Sequence, residues 1–321
     1  MMISSTKADR IRGTLVGTAA GDALGAGYEF GPPLPDSTPV LMKGGGMFRW
    51  EPGEWTDDTS MAIAVAQTAR AGDLREEIAQ DFLVARWIRW SREAKDVGTQ
   101  TRAVLSRNWV STAPGGNAAQ ARMVAEAFHK RTGRSGGNGS LMRTAPVALA
   151  YLDDPDGLTE AAIAVSRLTH FDSEAAEACV LWCHAIRHAV LTGELNAHYG
   201  LGELHAQARA RWEPRLYAAQ YAVPSDFRRN GWVVEALQAA WCAISTTREE
   251  STPATHLQNA LKAAVRGGND TDTVAAIAGG LLGAAYGETA VPPHWRKKLH
   301  GWPGMDASAL GALAESVSKS A

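Results

Sequence analysis

Along most of the chain, apolar positions return every three or four residues. Behind Asp73, the residues Leu74, Ile78, Phe82, Ala85 and Ile88 fall on one helical face, and Glu76 stands in capping-box position to Asp73. The sets Val180, Cys183, Ile186 and Val190, then Val234, Leu237, Trp241 and Ile244, then Leu257, Leu261, Ala264 and Val265 repeat the pattern. Alternation with a period of two is nearly absent, and Pro32 to Lys43 holds at most a short extended piece. The pattern predicts an all-α, compact, multi-helix fold of about twelve or more helices.

Breaks fall at Gly31 to Gly53, Thr112 to Asn117, Thr132 to Gly139, Asp153 to Asp156, Tyr221 to Gly231 and Arg248 to Pro253. None is a long low-complexity linker, so none marks a domain boundary. The stretch Leu201 to Arg229 reads as helical, dense in Arg with Trp212, Tyr217 and Tyr221 interleaved, and is better explained as a solvated surface than as a binding patch.

Glycine sharpens this picture. The 32 glycines sit among helix formers, although Gly costs about 1 kcal/mol relative to Ala inside a helix. Gly13, Gly17, Gly21 and Gly25 repeat every four residues, as do Gly279, Gly283 and Gly287 near the other end. Residues four apart share a helix face, and a face without side chains lets another backbone approach closely. Both segments are therefore expected to be interior helices in tight contact, and because the acidic residues near 57 and near 272 lie beside them and are expected to act together, a single domain over 1–321 is the better reading of a chain long enough for two.

Charge and cysteine content then remove several function classes. With 32 Lys+Arg against 34 Asp+Glu, the net charge of −2 gives no global field for nucleic acid or an anionic membrane. The longest apolar run, Val274 to Tyr286, is 13 residues, short of the roughly 20 that span a bilayer. The start, MMISSTKADR, lacks the apolar run of a secretory signal, and three cysteines make no disulfide scaffold; a cytoplasmic, monomeric protein is expected. Cys179 and Cys183 beside His184 read as core packing rather than a soft-metal site. Neither a Walker A sequence nor a Rossmann glycine fingerprint is present.

The candidate chemistry is acidic. Thr56, Asp57 and Asp58 directly precede one apolar helical run, and Asp270, Thr271, Asp272 and Thr273 precede the glycine-striped one. Capping of two helix N-termini is one reading. A single Asp suffices for a cap, however, and four neighbouring carboxylates repel unless cations neutralise them. An all-oxygen set of this kind suits Mg²⁺ or Mn²⁺, and two ions bridged by a carboxylate are the natural arrangement for such a set. Gly136, Gly137, Asn138, Gly139 and Ser140 precede an expected helix from Leu141 to Tyr151, where backbone N–H groups could cradle a phosphate. Asp96, in Lys95-Asp-Val-Gly98, adds one more acid between two helices.

Together these residues carry a resemblance. Gly21-Asp-Ala-Leu-Gly-Ala-Gly-Tyr-Glu29, Trp55-Thr-Asp-Asp-Thr59, Gly136-Gly-Asn-Gly-Ser-Leu-Met-Arg143, Thr169-His-Phe-Asp172 and Gly268-Asn-Asp-Thr-Asp-Thr273 are similar to the ordered motifs of the ADP-ribosylglycohydrolase family, the dinitrogenase-reductase-activating glycohydrolase type. The match runs from about Ile11 to Gly287, and Pro292, Pro293 and Trp295 resemble the family's closing segment. The resemblance implies an all-α hydrolase with two divalent cations, Mg²⁺ or Mn²⁺, that cleaves ADP-ribose from modified protein side chains and releases ADP-ribose as product.

Carried over by position, Thr56, Asp57, Asp58, Asp270, Asp272 and Thr273 are the implied metal ligands, with Asp272 the bridge. Gly136, Gly137, Asn138, Gly139, Ser140, Met142 and Arg143 are the implied wall around the pyrophosphate and distal ribose. His170 would lie at the same cleft, the other reading being an N-cap region histidine. Asp96 resembles the catalytic acid of members acting on ADP-ribosyl-arginine, and Glu29 matches a position implicated in members acting on ADP-ribosyl-serine. The expectation leans to arginine on the strength of Asp96. The sequence departs from the family pattern at Asn269, which intervenes between the Gly pair and Asp270, and at Trp232 and Glu235, where Tyr and Asp are more usual. Two other readings compete. An isoprenoid-type lyase with Asp-rich Mg²⁺ sites lacks its third Asp here, and the intact ligand set argues against a relative that binds ADP-ribose without cleaving it.

Overall fold

The computed structural model describes residues 5–105, 116–248 and 252–319. The expected breaks at Thr112 to Asn117 and Arg248 to Pro253 lie largely outside the described residues. Among those described, fourteen α-helices account for nearly all regular structure: α1 (Lys7–Gly25), α2 (Asp57–Ala69), α3 (Glu77–Ser91), α4 (Thr99–Leu105), α5 (Gly116–Thr132), α6 (Ala145–Ala150), α7 (Pro155–Arg167), α8 (Ser173–Thr192), α9 (Ala206–Ala219), α10 (Val233–Thr246), α11 (Pro253–Arg266), α12 (Thr271–Tyr286), α13 (Pro293–Arg296) and α14 (Ala307–Ser318). The all-α single-domain expectation holds. Among the described residues, no helix is long and apolar enough to cross a membrane.

The axis of the molecule is the antiparallel pair α1 and α12. A Cβ on Gly17 would collide with the Gly279 carbonyl oxygen, one on Gly13 with that of Gly283, and one on Gly21 with that of Ala275; the converse holds for Gly279 and Gly283. The glycine stripes are thus the surface along which two backbones touch, and the loss of side-chain packing is offset by backbone dispersion contacts. Because the pair is antiparallel, the C-terminal end of α1 at Gly25 abuts the start of α12 at Asp272. Helices α2, α8, α10 and α11 pack around this pair, with Trp182 donating its indole N–H to the Ile277 carbonyl at 3.0 Å. The apolar stripes on α8, α10 and α11 are buried as expected, with Cys179 and Cys183 in the core.

Three local expectations are corrected. Helix α3 begins at Glu77, and Ile78 and Phe82 are 58% and 64% exposed, while Ala79, Leu83, Val84, Trp87 and Trp90 form the buried face. The cause is Asp73, whose carboxylate accepts from Arg75 and the Tyr151 hydroxyl and so folds residues 73–76 into a turn that resets the helix phase. The helix expected over Leu141 to Tyr151 is only α6, which starts where Pro146 fixes the backbone; residues Asn138–Ser140 form a single 3₁₀ turn. Residues 201–229 hold α9 between two 3₁₀ turns, not one helix; Trp212 is buried, and Arg211, Arg215 and Arg229 pair with Glu177, Glu174 and Glu235. From Pro32 to Lys43 there is no strand.

Strand pairing occurs instead near the C-terminus, where β1 (His300–Gly301) and β2 (Met305–Asp306) form a small antiparallel hairpin. It fastens the segment entering α2: Trp55 donates its backbone N–H to His300 O at 3.0 Å and its indole N–H to Trp302 O at 3.1 Å. Beyond it, α14 packs on α1, with Gly311 against the Arg12 guanidinium, which also pairs with Glu288 at 2.5 Å.

Candidate active site and metal centre

Three helix ends converge at one place: the last turn of α1, the first turn of α2 and the first turn of α12. Helix N-termini present unpaired N–H groups and a partial positive charge, so carboxylates there are favoured even without a ligand. Asp22 of α1 uses that directly. Its carboxylate accepts from the backbone N–H of Thr56 (2.9 Å) and Thr59 (3.0 Å) and from the Thr59 hydroxyl (2.6 Å), which clamps the start of α2 to α1.

Asp58 sits fully buried beside it, accepting from the Thr56 hydroxyl at 3.1 Å and the Thr273 hydroxyl at 3.5 Å. Its other oxygen, Oδ1, is buried with no hydrogen-bond partner. One carboxylate oxygen each from Asp22, Asp58 and Asp272 lie within 4.8 Å of one another, and a second group of the same kind is formed by Glu29, Asp270 and Asp272. Asp272 belongs to both.

Electrostatics state the same problem. Burial, reinforced by the neighbouring carboxylates, holds Asp57, Asp58 and Asp272 well above the usual carboxylate range, and pushes Glu29 up to about 9. Asp22, despite its donors, is pushed by burial up to about 6. A buried, mutually repelling set of oxygens with an orphaned Oδ1 fits hard divalent cations.

A cleft of about 590 Å³ opens above these residues. Asp57, Asp270 and Thr273 reach its floor, Asp96 and Glu29 its sides. Gly137, Asn138, Gly139, Met142 and His170 line one wall. Gly136 lines an adjoining cleft of about 680 Å³ together with Trp232. Ser140 and Arg143 stand behind the wall. Ser140 is buried and accepts from Ser166 at 3.0 Å, and Arg143 is fully buried, stacked 3.9 Å over the Trp87 ring and donating to the Thr169 hydroxyl at 2.7 Å. Asp96 belongs to neither carboxylate group; burial raises it from the usual range.

The glycines of the wall make room for His170. A Cβ on Gly139 would lie 3.2 Å from the imidazole Cε1, and one on Gly137 3.4 Å from Nε2. Burial holds the ring well below its usual pKa, so it is neutral, with Nδ1 2.7 Å from the Thr169 hydroxyl. Asn138 also steadies the floor of the cleft, because its side-chain amide donates to Asp270 Oδ2 at 2.7 Å and to Asn230 O at 2.9 Å.

The match to known proteins decides between the readings of such a site. The family model described as ADP-ribosylglycohydrolase matches residues 3–321. The chain belongs to the ADP-ribosylglycohydrolase family. It is 32% identical to an ADP-ribosylarginine hydrolase Tri1 of Pseudomonas putida (strain GB-1), over 91% of this chain and 74% of that one. It is 28% identical to the ADP-ribosyl-[dinitrogen reductase] glycohydrolase of Rhodospirillum rubrum, over 91% and 90% respectively. A solved structure titled "ADP-ribosylglycohydrolase-related protein complex" superposes with a TM-score of 0.71 at 32% identity, covering 98% of both chains.

Within an ADP-ribosylglycohydrolase, the departures seen in the sequence have physical explanations. Asn269 adopts a left-handed backbone (φ 59°), which Asn tolerates better than most residues, and its carbonyl and N–H bond Phe30 N–H and Gly31 O at 2.7 and 2.8 Å. That bridge ties the Glu29 segment to the Asp270 loop. Trp232 bridges Gly137 and is flanked by Arg215 and Arg229, with Glu235 pairing Arg229.

Two residues at the site escaped the sequence reading. Asp22 lies inside the Gly21 to Glu29 motif, where its signal is a single acid in the apolar run Val16 to Ala26. Asn230, 2% exposed, accepts from Asp270 N–H at 3.1 Å and donates to Gly268 O at 2.9 Å. Its only local signal was an Asn-Gly pair in a loop.

Proposed function

We propose that the protein is a metal-dependent hydrolase that releases ADP-ribose from modified protein side chains, with ADP-ribosyl-arginine as its linkage. The observation that carries this reading is the pair of buried carboxylate groups sharing Asp272, of which Glu29 and Asp270 line the cleft. Asp22, Asp58 and Asp272 would hold one cation and Glu29, Asp270 and Asp272 the other, with Thr56, Asp57 and Thr273 completing the set. Bound divalent cations would supply the positive charge that holds ribose hydroxyls and acidifies a water beside the anomeric carbon.

The chain's own residues account for the rest. Hydrolysis breaks the bond from the anomeric carbon to the side-chain nitrogen; water adds to that carbon and gives up one proton, and one proton goes to the departing nitrogen. Asp96 is the group placed for the proton: it lines the cleft outside both carboxylate groups, and burial raises it toward the range of a proton donor. Glu29 lies inside the second group, where it orients substrate and water beside the ions rather than acting alone. Gly137 and Gly139 leave room for His170 in the wall, and Met142 closes it beside Thr273, at 3.9 Å from the Thr273 hydroxyl to the sulfur. When the Thr169 hydroxyl donates to His170 Nδ1, Nε2 carries the ring proton and presents a neutral donor to the cleft. Arg143 and Ser140 position this wall from behind.

The relatives named ADP-ribosylarginine hydrolase, 32% and 29% identical, support the arginine linkage. The test compares Asp96→Asn and Glu29→Gln on arginine-linked and serine-linked ADP-ribosyl peptides. Loss of arginine cleavage in Asp96→Asn by about a hundredfold or more is expected. Full activity of Asp96→Asn with loss only in Glu29→Gln would remove the case for arginine.

A further inference from the structure

Part of the cleft lining is apolar, a surface that suits a flat group, whether the adenine of ADP-ribose or a guanidinium. It is made by Phe30, Met47 and Phe48, from the loop between α1 and α2. Phe30 is 60% exposed and Met47 73% exposed, and the Phe30 and Phe48 rings meet edge to face with centroids 6.5 Å apart. Phe30 has a φ of 61°, a conformation that bulky residues rarely adopt. Asn or Gly would occupy it without strain, so the Gly31 bridge to Asn269 holds an aromatic ring at the cleft mouth against its own backbone preference.

The same cleft is lined by Asp96, a carboxyl group that belongs to neither carboxylate cluster. Aromatic faces and a thioether beside carboxylates are the surroundings that a flat, delocalised cation seeks, because a guanidinium stacks on rings and is weakly hydrated. We propose that Phe30, Met47 and Phe48 form the subsite for the leaving group, packing on the guanidinium of the modified arginine and the adjoining peptide while ADP-ribose occupies the glycine side. This rests on the arginine reading above and adds the residues that select it: a serine oxygen, small and uncharged, gains nothing from such a wall.

The test uses Phe30→Asn, which keeps a residue tolerant of the left-handed backbone, and Met47→Ser at an open surface position. For each, KM and kcat are measured on an arginine-linked ADP-ribosyl peptide, and affinity for free ADP-ribose by calorimetry. The KM for the arginine peptide is expected to rise about fivefold to tenfold, with a smaller change in kcat and ADP-ribose affinity within about twofold. An unchanged KM in both variants, or a parallel loss of ADP-ribose affinity, overturns the subsite while leaving the hydrolase reading standing. No release of ADP-ribose from the arginine peptide by the wild-type protein overturns both.

Discussion

At Asp58 a fully buried carboxylate keeps one oxygen without any partner, and such a group is costly unless something positive meets it. Asp58→Asn removes a charge from a repelling cluster. In chelator the variant should be at least as stable as the wild-type protein, while Mn²⁺, which should raise the wild-type melting temperature, should leave the variant's unchanged. Differential scanning calorimetry with and without Mn²⁺ reads both. Asp22 answers differently, because its oxygens serve three donors. Asp22→Ala strands the N–H groups of Thr56 and Thr59 and should cost about 2–4 kcal/mol in urea unfolding even in chelator. A loss below ~0.5 kcal/mol would mean that the clamp on α2 is not what holds it. These contrasting roles explain what was legible at this scale. Asp57, Asp58, Asp270 and Asp272 advertised themselves by clustering at helix starts, whereas Asp22 contributes one acid from mid-helix and Asn230 acts through backbone groups that no sequence pattern reports.

Between elements, the α1 and α12 contact fixes how close Asp22 and Asp272 can come. Gly17→Ala would drive a methyl into the Gly279 carbonyl, with backbone on both sides and nothing able to rotate away. Overpacking of this kind costs about 1–3 kcal/mol or more, and the separation of the helices should also weaken stabilisation by Mn²⁺. Gly202→Ala is the control: its Cβ meets nothing, so the change should stay within ~0.5 kcal/mol. Equal losses in the two variants would contradict the close-contact account. The stripe was readable because a four-residue glycine period has few other uses in an apolar helix. The phase of α3 was not, because it depends on Asp73 meeting Tyr151, 78 positions away in sequence. The β1–β2 hairpin escaped for a related reason: strands of two residues carry no periodicity and are held by Trp55 and His300.

For the whole molecule, the buried groups predict opposite pH arms. His184, pushed down to about 4 by burial, is neutral in the folded state while the unfolded chain takes up its proton. Its contribution is complete above about 6.5 and is lost as pH falls toward 4. In the metal-free protein Asp22 at about 6 and Glu29 at about 9 act the other way: their folded pKa values are raised, so stability present near pH 4 is lost as pH rises through those values. Between about pH 4 and 6 the two carboxylates outweigh the single histidine, so urea midpoints in chelator should fall as pH rises from about 4 to 9, and Mn²⁺ should flatten this alkaline arm. An alkaline arm unaffected by Mn²⁺ would separate the carboxylates from any ion.

The most direct test of the account is release of ADP-ribose from an arginine-linked ADP-ribosyl peptide, followed by mass spectrometry as Mn²⁺ is returned to chelated protein. The account predicts no release without the ion and full release once it is restored. Release undiminished by chelation, or none under either condition, would contradict it.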